Sequence, residues 1–242
     1  MRCAPRPFVH GLLRCSLAFA GACTLLVATP LQGRAQDAPA PVAMPPDPNG
    51  TRLFFGPTAR ALPKGGGYAG LYVIFPFVQV GVTDRVSIGG GTPLFLPLTS
   101  LAVWLTPKVQ VLDRPSAQAS IGCVHVISAG ADDGGQAGVG YGVATFGSDR
   151  GAVTIGAGWN YIRSTTERHD GAIVMVGAER RVGRHTKLIS ENYVSRDVRV
   201  AMVGVRLIGD RFSGDFAMVV VPVDGTVVAF PMLNLVRAFG TR

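Results

Sequence analysis

From Thr51 onward the chain repeats one device: an apolar run ends in a short polar turn, often Asp-Arg, and a second apolar run follows. The turns are Thr83-Asp84-Arg85, Asp113-Arg114-Pro115, Ser148-Asp149-Arg150, Gly183-Arg184-His185 and Gly209-Asp210-Arg211. Their centres, near 84, 113, 149, 184 and 210, lie 29, 36, 35 and 26 positions apart. Several are followed by an echo: Ser87-Ile88-Gly89, Ser120-Ile121-Gly122 and Thr154-Ile155-Gly156. Asp and Gly tolerate the backbone angles of tight turns, and the spacing is that of β-hairpins rather than helical repeats.

The runs themselves alternate. In 136–146, Val139, Tyr141 and Val143 share one face, and Gly138, Gly140, Gly142 and Ala144 the other. In 152–161, Val153, Ile155, Trp159 and Tyr161 oppose Thr154, Gly156, Gly158 and Asn160. A period of two with a small or polar second face predicts strands with one side in lipid and one in a crowded or wet lumen. A soluble barrel or sandwich would carry Lys, Glu and Thr on that second face instead. Bulk composition agrees: 32 glycines, 16 % charged residues and a mean hydropathy of +0.32. Yet no stretch beyond the first thirty residues approaches the ~18 apolar residues of a membrane helix.

The reading is therefore an all-β chain forming a single antiparallel transmembrane β-barrel of about twelve strands, with ten as the alternative. The strands are expected near 51–59, 68–80, 86–95, 101–111, 117–128, 136–146, 152–162, 171–182, 186–195, 198–208, 212–222 and 226–239. All five tight turns then lie at one end, with 60–67, 96–100, 129–135 and 163–170 as longer loops at the other. Short periplasmic turns and longer outer loops are the habit of outer-membrane barrels. Residues 230–239 (FPMLNLVRAF) suit a closing strand, although Gly240-Thr241-Arg242 follow and Pro231 fits only a strand end or bulge.

Residues 1–35 have the parts of a cleaved signal peptide. Arg2, Arg6 and Arg14 are basic, Ser16 to Thr29 is apolar, and Gly33-Arg34-Ala35 supplies small residues before Gln36. Lipidation at Cys23 is a weaker option. Residues 36–50 are rich in Pro and Ala and read as a periplasmic tether, leaving 51–242 as the barrel. The expected location is the outer membrane of a Gram-negative type of bacterium. The partners are outer-membrane lipid and, during biogenesis, the barrel-assembly machinery.

The formal charge of +8 falls to +4 without Arg2, Arg6, Arg14 and Arg34. The remainder is scattered with no basic run among aromatics, so nucleic-acid binding is not expected. Cys123 alone remains in the mature part, which leaves no internal disulfide and no cysteine metal site. His125, His169 and His185 match no metal motif by spacing. His169 with Ser164, Glu167 and Asp170 has the composition of any solvated loop, and the glycine triplets 65–67 and 89–91 open no phosphate loop. Neither enzyme activity nor a cofactor is expected.

Thr51–Ala59, Leu62–Tyr68 and Gly81–Gly91 read TRLFFGPTA, LPKGGGY and GVTDRVSIGGG. They resemble the shared pattern of a group of uncharacterised bacterial outer-membrane β-barrel proteins. The resemblance covers about a fifth of the chain. It implies the barrel and carries no ligand or catalytic residue with it.

Charges inside the expected strands are the candidate functional residues: Glu179, Arg181, Glu191, Arg199, Arg206 and Asp215. An Arg facing lipid near the bilayer midplane costs ~2–4 kcal/mol, so these residues are expected in the lumen or near the rims. There they would form either a paired network filling the barrel or a pore lining. The expected function is a passive pore or structural membrane component. A surface interaction barrel, a membrane-embedded lipid or peptide hydrolase, and a soluble periplasmic lipid-binding barrel are the alternatives.

Overall fold

The computed structural model describes residues 44–93, 100–130, 134–164, 168–196, 199–223 and 225–240. The expected signal peptide, Cys23 and the first part of the tether lie outside them. The barrel unit is Met44–Arg242.

The described residues form thirteen antiparallel strands: β1 (Gly67–Tyr72), β2 (Phe75–Gly81), β3 (Val86–Gly91), β4 (Ser100–Leu105), β5 (Lys108–Arg114), β6 (Ala117–Gly130), β7 (Gly135–Ser148), β8 (Gly151–Ser164), β9 (Arg168–Arg181), β10 (Thr186–Ser195), β11 (Arg199–Ile208), β12 (Phe212–Val223) and β13 (Thr226–Phe239). β4 and β5 both pair with β3 and β6 and act as one stave. The interruption falls at Thr106-Pro107, where proline has no N–H for a ladder. Each stave pairs with its neighbours, and β1 closes on β13 from Gly67↔Phe239 to Tyr72↔Asn234. The result is a closed barrel of twelve staves.

The number twelve is reached differently from the sequence expectation. Residues 51–59 are not a stave, and Gly56-Pro57 instead turns them inside the barrel. The run 68–80 divides into two strands at Val73-Ile74, a turn without turn residues in which Val73 takes φ 49°. Segment 60–67, expected as a loop at the far end, joins the interior segment to β1 at the end that carries the tight turns. The turn end thus holds all five tight turns, the start of β1 and the end of β13. The loop end is trimmer than expected: β8 runs to Ser164 and β9 begins at Arg168.

The exterior is apolar. Ile121, Phe146, Ile155, Trp159, Val174, Val203, Leu207, Phe216 and Leu233 are all exposed on outward rows, which is the band lipid requires. Alternation in β8 follows expectation, with Val153, Ile155 and Trp159 outward and Thr154, Gly156 and Gly158 inward. In β7 the faces are reversed. Tyr141 and Val143 point inward and Gly140 and Gly142 face open space outside. The larger face turns in because the barrel is filled: Val143 and Tyr141 pack with Ala59 of the interior segment.

Candidate functional site: a plugged lumen

Residues 44–66 fold into the turn half of the lumen as a plug. The segment doubles back through a bridge between Arg52 and Pro57, with the Leu53 N–H on the Gly56 carbonyl and the Thr58 N–H on the Thr51 carbonyl. Leu53, Phe54 and Ala59 are fully buried, and Leu53 and Phe54 share a cluster with Tyr68, Tyr72, Ile189, Met202 and Met232 of the wall.

A connected set of wall charges holds the plug. Arg206 donates from two nitrogens to the Asp215 carboxylate at 2.6 and 3.1 Å, and to the carbonyls of Asn49 (2.9 Å) and Leu53 (2.5 Å). It also reaches Asp47 at 3.1 Å. Lys187 bridges Asp47 (2.7 Å) and Glu179 (3.1 Å), and Glu179 in turn pairs with Arg60. Asn234 donates to Asp215 at 2.9 Å. Burial pushes the Asp47 carboxyl up, but Arg206 and Lys187 outweigh it and hold it well below the usual carboxylate range.

Two further clamps grip the plug backbone. The Glu191 carboxylate accepts the successive N–H groups of Phe54 (2.6 Å), Phe55 (3.1 Å) and Gly56 (2.8 Å), and the Tyr193 hydroxyl as well. Lys108 donates to the carbonyls of Thr51 (3.2 Å), Thr58 (3.1 Å) and Arg60 (2.7 Å). Thr145 and Ser120 bond the N–H and carbonyl of Ala59. Arg52 lies over the rings of Phe77 (3.8 Å), Tyr72 (4.9 Å) and Tyr68 (5.0 Å), a cation–π stack. A cavity of about 70 Å³ remains beside it, between the plug and the wall of Phe77, Gln79, Trp104, Lys108 and Tyr141.

Of the six candidate charges, Glu179, Glu191, Arg206 and Asp215 stand buried in this network. Arg181 is inward at the turn-end rim, donating to the Pro45 carbonyl at 2.7 Å. Arg199 is not in the lumen: it begins β11 on the outward row at the loop-end rim. Asp47, Arg60, Lys108 and Lys187 were missed. The rule that selected Glu179 applies equally to Lys108 and Lys187, which also sit inside apolar strands. Asp47 and Arg60 carried no signal, because the segments around them read as tether and loop.

The histidines are dispersed. His125 faces outward and bonds the Tyr161 hydroxyl across Gly138, whereas His185 reaches the Ile208 carbonyl. Among the described residues no three His, Cys, Asp or Glu side chains gather to hold a metal ion.

No protein-family model matches the chain. No curated protein matches it either. Among solved structures it is similar to the KdgM porin in complex with disordered oligogalacturonate, at 6 % identity and a TM-score of 0.51, covering 72 % of this chain and 98 % of that one. It is also similar to the NanC porin, at 5 % identity and a TM-score of 0.51, covering 74 % and 100 %. The fold is that of the outer-membrane porins: one closed transmembrane β-barrel, here with its own N-terminal segment inside.

Proposed function

We propose that the protein is a passive outer-membrane barrel whose axial path is shut by its plug, a closed pore rather than an enzyme. The porin fold supports the first part. The observation that carries the second is that the buried charges of the turn half bond the plug, directly or through one another, instead of lining open water. Such a network favours one arrangement because each member left unpaired is costly. The turn end faces the periplasm on this reading.

Planar-bilayer recording tests it. The intact barrel should insert without sustained conductance. Arg206→Met removes the cation paired with Asp215 and one of the two paired with Asp47, a loss of about 3–5 kcal/mol for a broken buried pair, and should produce openings. Steady open-pore current from the intact protein would overturn the closed-pore reading.

A further inference from the structure

Arg52 is the cation that the plug network leaves over. Asp47, Glu179 and Asp215 are ion-paired with Lys187, Arg206 and Arg60. Glu191 and Lys108 grip backbone groups of the plug and carry opposite charges. Arg52 has no carboxylate partner among the described residues. Its Nε donates to the Asn49 side chain at 2.7 Å, and its plane is covered by the rings of Phe77, Tyr72 and Tyr68. Neither terminal nitrogen donates to a described group, and Nη2 is buried without an acceptor. A charged donor left in that state is costly.

The free edge of the guanidinium borders the cavity of about 70 Å³ between plug and wall. A water needs roughly 10–15 Å³ of such space, so a group of several heavy atoms fits. No Asp or Glu lines it among the described residues, whereas Lys108 does and adds a second positive charge. Tyr141 reaches in from β7 across Gly122, where any side chain would collide with its hydroxyl. That hydroxyl bonds no described group. The lining beside these donors is apolar, with Trp104, Val124 and Pro57. Phe55, at the border, is 49 % exposed, so the cavity is not sealed.

We propose that this cavity is a binding site for a small organic carboxylate, held by the free edge of Arg52 and the Tyr141 hydroxyl. The planar fork of arginine matches the two oxygens of a carboxylate, and charge-assisted bonds of this kind are the strong ones. A short carbon body then packs on Trp104 and Val124. Apolar walls with a few placed polar groups are the usual make-up of a small-molecule site. Arg52 belongs to the plug and Tyr141 to the wall, so the ligand binds only the docked plug and locks it. The site rests on the docked plug and not on whether the axial path conducts, so a conducting barrel would sink the closed-pore reading and leave the site standing.

Trp104 lines the cavity and Trp159 faces lipid, so the full barrel with Trp159→Phe in zwitterionic micelles reports on the site alone. Iodide, an anionic quencher, should quench Trp104 to a plateau, and propionate should restore the emission at about tenfold lower concentration than chloride. Propionamide, with the shape but not the charge, should restore none. Tyr141→Phe should raise the propionate needed about tenfold, and Arg52→Met should abolish the plateau. At about ten times its half-saturating concentration, propionate should also slow exchange of the Phe54, Phe55 and Gly56 amides about elevenfold. Quenching that stays linear in iodide, or restoration by propionamide, overturns the site. Chloride displacing iodide as well as propionate does overturns the carboxylate, and amide exchange unmoved by propionate overturns the lock. If Arg52→Met frees the plug, Tyr141→Phe decides: an unchanged propionate dependence there overturns the assignment.

Discussion

Glu191→Gln isolates the grip on the plug tip. Three backbone N–H groups and the Tyr193 hydroxyl converge on two carboxylate oxygens in a fully buried position. Glutamine keeps the shape but offers one acceptor oxygen, and its NH₂ turns donors toward donors. One or two amides then lose their partner, at about 1–3 kcal/mol each, and the surviving bonds lose the roughly twofold strength that charge confers. Rearrangement of the tip recovers part of this, leaving about 2–4 kcal/mol. Because the wall strands keep their ladders, the loss falls on plug docking rather than on the barrel. Every 1.4 kcal/mol is tenfold, so the released fraction rises roughly 30- to 700-fold. Hydrogen exchange in micelles reads it directly. The amides of Phe54, Phe55 and Gly56 should exchange faster by that factor while those of β7 and β8 hold. Unchanged exchange at the tip would refute the carboxylate clamp, and equal acceleration in β7 would refute the independence of plug and wall.

Gly177→Ala attacks the same contact from the wall. A Cβ there would overlap the Leu53 side chain, so docking should weaken by about 1–3 kcal/mol, seen as faster proteolysis of residues 44–66 with gel mobility unchanged. The Asp47 carboxyl is held below its unfolded value by Arg206 and Lys187, so its contribution is fully present above about pH 4 and fades as the pH falls further toward the docked value. Plug protection, the exchange rate relative to the intrinsic amide rate at each pH, should therefore lose nothing through Asp47 from pH 7 to 5 and fall below 4, and an Asp47-dependent loss on the alkaline side instead would contradict the sign. Ile155→Arg, on the lipid-facing row of β8, should cost ~2–4 kcal/mol if it lies near the midplane, measured by urea unfolding in bilayers.

The barrel was legible because its evidence is repetitive. Turn chemistry at 84, 113, 149, 184 and 210 marks every hairpin of one end, and five of them survive errors elsewhere. The plug was not legible, because local pattern cannot separate an apolar run that joins a ladder from one that fills a lumen. Thr51–Ala59 has strand composition, and only the wall decides its fate. The same ambiguity inverted β7: Tyr141 and Val143 are apolar in either direction, and they turn in because Ala59 is there to receive them. The split at Val73-Ile74 escaped notice because β-branched residues are the last expected in a turn. Four of the six candidate charges could be placed by the cost of charge in lipid, a constraint independent of strand boundaries.

The plug also explains the composition of the wall behind it. Lys108 spends all three donors on plug carbonyls, and Arg206 divides its own between Asp215 and the plug. Neither would have that satisfaction in an empty tube, so undocking must admit water to replace the carbonyls. The wall left behind is nearly balanced: Glu179, Glu191 and Asp215 stand against Lys108, Lys187 and Arg206, with Arg181 at the rim adding one cation. A lumen opened by Gly177→Ala, which alters no charge, should therefore conduct with only a slight preference for anions. Under a KCl gradient its reversal potential should sit close to zero. A strong cation preference would mean that acidic groups beyond this ring govern the open path, and the plug would then be masking a filter rather than completing a core.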